Sequence, residues 1–410
     1  MSTVVQINTY NGGSTGSIAR RINAVAQKQG WQVFFYYGRK FLQKIDAPGD
    51  RIIGTGIWYK MSILWHVLQT RLFDRHGQGS KWATRLLIKN LKEIKPDIVH
   101  LHNVHGYYVN YKLLFDYLAD ANIPIVWTLH DCWAFTGHCA HFVSVGCMKW
   151  RDGGCNQCLL SRQYPKAYWD FSKRNFSHKR DAFVRIPSNL HIVTVSGWLR
   201  TFVNQSFLRD CNVDTIYNGV DLTIFHPEYL PINNFHVGVN EKVVLGVSAI
   251  WNKDKGLDDF KQLRKMLASN IKIILVGLNA TQIQELPSGV IGVERMQNMS
   301  ELAGLYAMAD VFVNPTYADT FPTVNLESLA CGTPVITYRT GGSPEAISPE
   351  TGVVVEQGNL QSLCDAIDCV LQRGKDYYKE NCRKRAEEFF DKDKCYQQYI
   401  DLYNNILNNK

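Results

Sequence analysis

The sequence predicts an α/β protein with two doubly wound, Rossmann-like domains. Short runs rich in Val and Ile alternate with amphipathic stretches in both halves of the chain. Runs that are apolar throughout suit parallel strands buried on both faces, and the stretches between them suit crossover helices. The chain has 410 residues, whereas single hydrophobic cores seldom exceed roughly 250–300 residues. We therefore expect two domains rather than one long sheet.

The predicted strands follow one another along both domains. In the first domain they are Val4–Ile7, Val33–Tyr36, Ile98–Leu101, Ile125–Thr128 and Ile192–Val195. In the second domain they are Val243–Val247, Ile271–Val276 and Val335–Thr337. Pro and Asn residues with little periodicity at Phe225–Val239 predict the joint, so the domains are expected to cover residues 1–225 and 236–385. The end of the chain, Tyr377–Asn408, reads as long helices with apolar anchors at Tyr396, Ile400, Leu402, Tyr403 and Ile406.

The positive charge of the chain is concentrated in one region. Lys plus Arg is 45 and Asp plus Glu is 37, which gives a net charge of +8. The segment from Arg39 to Lys92 holds 11 basic and 3 acidic residues, so it carries the whole excess. Within it, between Lys60 and Arg75, apolar residues recur at helical spacing at Met61, Leu64, Trp65, Leu68 and Leu72. Such a helix either lies on an anionic membrane surface or turns its apolar face to the core. We expect no nucleic-acid partner, because no RNA- or DNA-binding motif is present.

Cysteines and the lack of membrane signals bear on the compartment. No run approaches the roughly 20 apolar residues of a membrane span, and the N-terminus does not resemble a leader. We expect a cytoplasmic protein, free or peripheral on the inner face of the plasma membrane, with reduced cysteines. Four of the 11 cysteines form a dense cluster: Cys139, Cys147, Cys155 and Cys158. The cluster fits a structural zinc ion, and four reduced thiols without a metal are the alternative.

A glycine-rich loop follows the first predicted strand. Gly12 and Gly13 lie in Asn11–Ser17, before an amphipathic helix that we expect from Ile18. Glycines let the backbone approach a ligand closely, and a helix N-terminus favours an anion. The alternative is an ordinary turn without a ligand.

Two carboxylates near the end of the second domain form a sharper pattern. Asp319 and Glu327 flank the start of a helix that is predicted to begin near Thr323. Its first backbone N–H groups, at Thr323, Val324 and Asn325, can hold a phosphate, while Glu327 can accept hydrogen bonds from a ribose diol and Asp319 from a sugar hydroxyl. The alternative is an acid that only complements the helix dipole.

Lys255, with Gly256, opens the helix that follows the strand Val243–Val247. A lysine there can neutralise the charge that grows on a leaving diphosphate. A solvated lysine in a first helical turn is the alternative.

Together these segments resemble glycosyltransferase family 4, whose members are retaining nucleotide-sugar enzymes of the GT-B fold. The matching pieces run nearly end to end: Gly12-Gly13, Val99–Asn103, Thr128–Asp131, Asn218–Asp221, Lys255-Gly256, Ala309–Pro315, Asp319 with Glu327, Ala330–Pro334 and Gly341–Glu345. The resemblance is best to a sub-group that acts in surface-polysaccharide assembly, of colanic acid or O-antigen type. It implies two domains that face each other across a cleft, with residues 386–410 returning to the N-terminal domain.

The resemblance also implies roles for single residues. Lys255 would meet the pyrophosphate and Glu327 the ribose, while Asp319 and His130 would face the donor sugar. Gly13, with Gly12, would close over the phosphates, and Arg295 would flank the base. Independently of the resemblance, polar and aromatic residues that follow the strand Ile98–Leu101 can line the acceptor side: His102, His105, Tyr107, Tyr108 and Asn110.

Two positions depart from the family pattern. The family usually has Glu where this chain has Asp319, and it usually pairs an Arg with the lysine, where Lys253 stands here. Lysine lacks the bidentate fork of arginine. The only Asp-x-Asp pair, Asp391 with Asp393, lies far along the chain from the proposed site, so we expect transfer that needs no metal and no cofactor.

The function expected from the sequence is retaining transfer of a sugar from a nucleoside-diphosphate sugar to an oligosaccharide acceptor, which would be carried on a polyprenyl-diphosphate lipid. A sugar-nucleotide epimerase and a catalytically impaired sugar-nucleotide-binding subunit are the alternatives.

Overall fold

The chain divides into two compact units. The computed structural model describes residues 1–40, 48–151, 153–185, 187–228, 235, 237–238, 240–296 and 298–409. Unit 1 comprises Met1–Ile216 and Tyr396–Lys410, and unit 2 comprises Tyr217–Cys395. The boundary falls before the predicted joint at Phe225–Val239, part of which lies outside the described residues. Tyr217 and Asn218 belong to unit 2 because they bond to Glu345 and to the carbonyl of Phe321.

Unit 1 is built on a sheet of seven parallel strands in the order β3-β2-β1-β4-β5-β6-β7. The strands are β1 (Thr3–Tyr10), β2 (Gln32–Arg39), β3 (Asp50–Ile52), β4 (Ile98–Leu101), β5 (Ile125–Leu129), β6 (Leu190–Thr194) and β7 (Asn212–Thr215). The helices are α1 (Gly13–Lys28), α2 (Gly56–Phe73), α3 (Lys81–Ile94), α4 (Tyr111–Asp120), α5 (Ser172–Phe183) and α6 (Gly197–Val203).

Unit 2 is built on a sheet of six parallel strands in the order β10-β9-β8-β11-β12-β13. The strands are β8 (Lys242–Val247), β9 (Ile271–Val276), β10 (Val290–Val293), β11 (Val311–Asn314), β12 (Val335–Tyr338) and β13 (Gly352–Val355). The helices are α7 (Leu257–Met266), α8 (Ala280–Gln284), α9 (Met299–Met308), α10 (Thr323–Ala330), α11 (Leu360–Arg373), α12 (Lys375–Phe389) and α13 (Lys392–Asn408), the last of which continues into unit 1.

Both sheets are doubly wound, as predicted. Every predicted strand lies in or overlaps an observed one, because runs such as Val4–Ile7 and Ile273–Val276 are buried on both faces. The observed strands that were not predicted are β3, β7, β10, β11 and β13. The edge strands β3 and β7 are mostly polar and only partly buried, whereas β11 is buried throughout but only four residues long. In each sheet the strand order reverses once, at β1/β4 in unit 1 and at β8/β11 in unit 2. Ligands of doubly wound sheets bind at the carboxyl ends of the strands at such a point.

The C-terminal helix returns to unit 1, which confirms that part of the prediction. The return begins at Tyr396 rather than at residue 386. The ring of Tyr403 packs at a tilt against Trp31, with 5.4 Å between ring centroids, and its hydroxyl lies 2.5 Å from Nδ1 of His100. The preceding residues stay in unit 2, where Phe390 packs against Tyr217 and Phe321.

Helix α2 exposes its apolar residues to solvent, so the core-facing alternative for this segment is wrong. Its buried residues are Tyr59, His66 and Thr70, on the opposite side. Across the described ranges, none of the helices has both the length and the apolar character needed to cross a membrane.

Candidate active site

Lys255 and Asp319 form an ion pair at the carboxyl edge of the unit 2 sheet. The turn Lys253–Lys255 follows β8, and Asp319 lies in the loop that follows β11, the neighbouring strand. Nζ of Lys255 lies 2.7 Å from Oδ2 of Asp319 and 3.1 Å from the carbonyl oxygen of Ala318. Both side chains are about one quarter exposed, so a ligand can reach the pair.

The backbone holds these two loops together. The carbonyl of Asp254 accepts hydrogen bonds from the N–H of Tyr317 at 2.7 Å and from the hydroxyl of Thr316 at 3.1 Å. A Cβ atom at Gly256 would lie 2.3 Å from the carbonyl of Pro315, which is too close for any side chain. Packing alone therefore requires a glycine directly after Lys255, independently of any role for the lysine.

A second glycine contact fixes the loop that carries Asp319. Gly341 has φ +54°, and a Cβ atom there would lie 1.7 Å from the carbonyl oxygen of Asp319. The N–H of Gly342 donates to the carbonyl of Thr320 at 3.0 Å. The Gly341–Glu345 motif thus supports Asp319 from the end of β12.

Helix α10 begins at Thr323, as predicted, directly after this loop. No side chain caps its N-terminus, which begins after Pro322, so its first N–H groups suit an anion. Thr323 and Val324 are partly exposed, whereas the side chain of Asn325 is buried and bonds to Asn314 at 2.8 Å. The backbone N–H of Asn325 donates to the carbonyl of Pro322 at 3.2 Å, so an anion at this helix start would have to share it with that carbonyl.

Glu327 lies one turn into α10. It is partly exposed, and Oε2 accepts a hydrogen bond from the hydroxyl of Tyr306 at 3.1 Å. Burial, together with the Glu327 carboxylate, raises the pKa of Tyr306 well above its usual value. The tyrosine therefore stays a donor and holds the carboxylate in one orientation.

The remaining predicted donor residues of unit 2 are exposed. Lys253 begins the turn that contains Lys255, and Arg295 follows β10. Contact of Lys253 or Arg295 with a nucleotide stays a prediction.

In unit 1, the glycine loop follows β1 directly into α1. The helix starts at Gly13, before the predicted Ile18. Its N-terminal cap residue is Gly12, so no side chain caps the helix. A Cβ atom at Gly16 would lie 2.8 Å from the carbonyl of Tyr10, so the third glycine of the loop is needed for packing. An anion site at Gly12 and Gly13 stays a prediction.

His130 lies at the end of β5 and is the first member of a hydrogen-bonded chain. Nε2 of His130 lies 3.0 Å from Nδ1 of His102, and Nε2 of His102 lies 2.8 Å from Oε1 of Gln6. With Oε1 of Gln6 as the final acceptor, each imidazole donates through Nε2, and Nδ1 of His130 keeps its lone pair. Burial lowers the pKa of His130 to about 4, so the imidazole is neutral near pH 7.

His105 belongs to a second chain at the same edge of the sheet. Its Nε2 lies 2.8 Å from Oδ2 of Asp131, and its Nδ1 lies 3.0 Å from the hydroxyl of Tyr164. Burial alone would raise the pKa of Asp131, but the interaction with His105 lowers it to about 2. A cavity of about 10 Å³ adjoins His105, His130 and Asp131, which is room for roughly one water molecule.

Two further predicted acceptor residues differ in their surroundings. Tyr107 is partly exposed, has φ +72°, and packs edge-on against His76 with 4.8 Å between ring centroids. Asn110 is buried and caps helix α4, accepting from the N–H of Leu113 at 3.0 Å. Contact of Asn110 with an acceptor stays a prediction, which this capping contact does not support.

The four clustered cysteines lie in one part of unit 1. A hydrogen bond joins the thiols of Cys139 and Cys158, and Cys155 accepts from the N–H of Gly137 at 3.1 Å. Within the ranges that the structure describes, no three His, Cys, Asp or Glu side chains converge so as to hold a metal ion. Structural zinc at Cys139, Cys147, Cys155 and Cys158 stays a prediction that this arrangement does not support.

Several residues of the site were not predicted. Tyr306 orients Glu327, Gln6 accepts from His102, and Tyr164 bonds to His105. The sequence places His102 on the acceptor side, and in the structure it bonds to His130. Gln6 has a local signal, since it is a polar residue within the otherwise apolar start of β1. Tyr306 and Tyr164 have none, because each reaches its partner only through tertiary packing.

Family models match most of the chain. The model described as "Glycosyltransferase Family 4" matches residues 12–224, and the model described as "Glycosyl transferases group 1" matches residues 241–373. The two matches fall on units 1 and 2 respectively.

Three curated relatives act in glycan synthesis by their names. The capsular polysaccharide biosynthesis glycosyltransferase CapM of Staphylococcus aureus is 27% identical over 53% of this chain and 62% of its own length. The putative colanic acid biosynthesis glycosyl transferase WcaC of Escherichia coli K12 is 22% identical over 85% of each chain. The N,N'-diacetylbacillosaminyl-diphospho-undecaprenol alpha-1,3-N-acetylgalactosaminyltransferase of Campylobacter jejuni is 26% identical over 51% of this chain and 60% of its own length. The chain thus spans about three fifths of two of these relatives.

Solved structures share the fold over essentially the whole chain. Sucrose-phosphate synthase from Thermosynechococcus elongatus has a TM-score of 0.72 at 17% identity and full coverage of both chains. Anabaena HepE, solved in complex with UDP and glucose, has a TM-score of 0.65 at 16% identity, covering 98% of this chain and 99% of its own. At this level of identity the likeness concerns the fold alone.

Proposed function

The chain belongs to glycosyltransferase family 4, and from this premise we propose that it transfers a sugar from a nucleoside-diphosphate sugar to an oligosaccharide acceptor. The observation that carries the proposal is the grouping in unit 2 of an uncapped helix N-terminus, the Lys255–Asp319 pair and the Glu327 carboxylate. These are an anion site, a cation and two hydroxyl acceptors at the switch point of one sheet. A nucleoside-diphosphate sugar offers a complementary group to each.

The residues of unit 2 would bind the donor. Glu327, held by Tyr306, would accept from the ribose diol. The first N–H groups of α10, at Thr323, Val324 and Asn325, would bind the diphosphate together with Lys255 and Lys253. Asp319 would accept from a sugar hydroxyl once Lys255 turns to the phosphate, and Arg295 would flank the base. HepE, which shares the fold, was solved with UDP and glucose.

The residues of unit 1 would complete the reaction machinery. Gly12 and Gly13 offer N–H groups to the phosphates, and neutral His130 offers the lone pair on Nδ1 to a hydroxyl of the donor sugar. His105 and Tyr107 would lie on the acceptor side, with Asn110 contributing only as the cap of α4.

We propose that the anomeric configuration is retained. As the bond between the anomeric carbon and the phosphate oxygen breaks, positive charge grows on the sugar and negative charge on the diphosphate. Lys255 and the N-terminus of α10 would stabilise the diphosphate. The acceptor oxygen would bond to the anomeric carbon from the same face, and its proton would pass to the departing phosphate oxygen. No metal or other cofactor is assigned a step.

The acceptor is proposed to be an oligosaccharide on a polyprenyl-diphosphate lipid, for a bacterial surface polysaccharide. Relatives named for capsule and colanic acid synthesis support the polysaccharide, and the Campylobacter relative supports the lipid because its name contains diphospho-undecaprenol. Such an acceptor would bring the enzyme to the inner face of the plasma membrane.

Release of nucleoside diphosphate tests the proposal. A thermal-shift screen with UDP-, GDP- and ADP-sugars first identifies the donor, and the purified protein is then mixed with that donor and an acceptor extract. We expect Asp319→Ala to reduce transfer at least about 100-fold while nucleotide binding is largely retained, because Asp319 is assigned to the sugar. Asp376→Ala, an exposed acid at the start of α12, is the matched control.

Two results would contradict the proposal. Normal turnover by Asp319→Ala would remove the active-site assignment. Conversion of the donor to another nucleotide sugar without any acceptor would instead identify an epimerase.

A further inference from the structure

Helix α2 presents an apolar face to solvent. Ile57, Trp58, Met61, Leu64, Trp65, Leu68 and Leu72 recur every three or four residues, so they lie on one stripe of the helix. Trp58 is 73% exposed, Leu64 67% and Trp65 59%. Surface helices normally bury their apolar face and expose the polar one. In α2 this order is reversed.

Polar contacts on the other side of α2 fix its orientation. Nε2 of His66 accepts hydrogen bonds from the N–H groups of Gly77 at 3.0 Å and Gly79 at 3.2 Å, and Nδ1 lies 2.9 Å from the hydroxyl of Ser80. The hydroxyl of Tyr59 donates to the carbonyl of Gly38 at 2.5 Å. The helix is therefore held to unit 1 by buried polar groups, and its apolar stripe is left outside.

A neighbouring loop extends the apolar surface. The N–H of Tyr168 donates to the carbonyl of Arg71, in the last turn of α2, at 2.7 Å. Trp169, the next residue, is 66% exposed. We call the stripe of α2 together with Tyr168 and Trp169 the apolar patch.

The composition of the patch distinguishes between possible partners. Helix α2 contains no Asp or Glu, and Lys60 and Arg71 flank the stripe. The cations of Arg162 and Lys166 lie over the ring of Tyr168 at 5.5 and 5.8 Å. Among the residues that the structure describes, the tryptophans more than half exposed are Trp58, Trp65, Trp82 and Trp169, and three of these four belong to the apolar patch. Exposed Trp next to Lys and Arg is typical of surfaces that lie in the headgroup region of an anionic bilayer.

We infer that the apolar patch docks unit 1 onto an anionic phospholipid bilayer, with α2 lying in the plane of the interface. Trp58, Leu64, Trp65 and Trp169 enter the boundary between headgroups and acyl chains, and Lys60 and Arg71 meet lipid phosphates. The inference rests on the proposed function and deepens it. A lipid-linked acceptor is held in such a bilayer, so docking would bring the enzyme to its acceptor.

Vesicle flotation with the full chain tests the inference. The protein is mixed with vesicles of phosphatidylcholine alone or of equal parts phosphatidylcholine and phosphatidylglycerol, without donor or acceptor. We expect binding to the anionic vesicles, weak binding to the neutral ones, and a decrease with added salt. Trp58→Ser/Trp65→Ser should weaken binding at least about tenfold, because each ring loses its buried apolar area.

Two further variants keep the test decisive. Lys60→Gln/Arg71→Gln leaves the apolar stripe intact and should weaken binding to anionic vesicles by about fivefold for each cation removed. Met266→Ser/Tyr377→Ser removes exposed apolar side chains from helices of unit 2 and should bind as the unchanged protein does. Circular dichroism establishes that each variant is folded.

The inference is overturned if the folded protein ignores anionic vesicles, or if both patch variants bind as well as the control. It is also overturned if light scattering shows dimers that Trp58→Ser/Trp65→Ser dissociates, since the patch would then join two copies of the chain. Transfer to an acceptor freed of its lipid, measured without vesicles, tests the proposed function separately, so either one can fail alone.

Discussion

Burial sets the charge of the histidines at the carboxyl edge of the unit 1 sheet. It lowers the pKa of His130 to about 4 and that of His100 to about 3, and it holds the pKa of His102 well below its usual value. Neutral imidazoles can share protons along chains such as His130–His102–Gln6, whereas two neighbouring cations would repel each other. These three imidazoles therefore contribute hydrogen-bonding groups and not positive charge.

The first prediction follows from these lowered pKa values. An unfolded chain takes up a proton on each histidine near pH 6.5, whereas His100 in the folded protein does so only near pH 3. The unfolded state thus binds more protons between these values, and stability falls as the pH decreases below about 6.5, by up to about 1.4 kcal/mol per pH unit for each such histidine. The free energy of unfolding is measured with urea at several pH values. It should depend less steeply on pH in His100→Gln than in the unchanged protein. An unchanged slope would contradict the assignment.

At the scale of elements, the loop after β11 takes its shape from a neighbouring loop. Gly341 contacts the carbonyl of Asp319 where no Cβ fits, and Gly342 donates to Thr320. Asp319 is thus positioned by residues that would never touch the donor sugar.

Gly341→Ala should therefore impair transfer through the loop. The new methyl group would meet the Asp319 carbonyl, so the loop must shift, and a misplacement of about 1 Å can cost on the order of 100-fold in rate. Gly30→Ala is the matched control, because Gly30 has φ +82° and nothing lies within 4 Å of the position that its methyl group would take, so it shares only the backbone strain of about 1–2 kcal/mol. Measuring kcat and thermal stability of both separates the two effects. Equal activity of the two variants would argue against positioning by Gly341.

Helix α2 shows what periodicity can and cannot predict. The spacing of Met61, Leu64, Leu68 and Leu72 indicated a helix, and α2 spans Gly56–Phe73. The same spacing serves a face turned inward and a face turned outward, so it left both alternatives open. Tertiary contacts, such as those of His66 with Gly77 and Gly79, determine which face of α2 points inward. Such contacts cannot be predicted from the spacing of apolar residues.

At the scale of the whole molecule, the last helix, α13, completes the packing of unit 1. The hydroxyl of Tyr403 bonds to His100, and Thr128 donates to the hydroxyl of Tyr399 at 3.3 Å. Both tyrosines are buried, so residues near the end of the chain stabilise strands from its first third.

Substitutions at Tyr403 should measure how much this packing contributes to the free energy of unfolding. Tyr403→Phe keeps the ring and loses one buried hydrogen bond, for an expected cost of about 1 kcal/mol in free energy of unfolding. Tyr403→Ala also leaves a cavity beside Trp31 and should cost about 3–5 kcal/mol. Urea unfolding followed by tryptophan fluorescence tests both values. Similar costs for the two variants would mean that the ring contributes little.

The sequence predicted the fold more fully than the site. The two doubly wound sheets, the start of α10 at Thr323 and the family are confirmed, because buried strands and helix starts leave local signals. The Lys255–Asp319 pair, the capping role of Asn110 and the arrangement of the cysteines depend on how separate segments meet. Roles in binding and transfer at these positions stay predictions.

The path of the chain through α13 bears on the order of events during synthesis. Unit 2 is contained in Tyr217–Cys395, whereas unit 1 needs Tyr396 and the residues after it. Because synthesis proceeds from the N-terminus, all of unit 2 is synthesised before the last segment of unit 1. Until then the edge around His100 stays uncovered, so a nascent or truncated chain would carry one complete half and one half that is prone to aggregate.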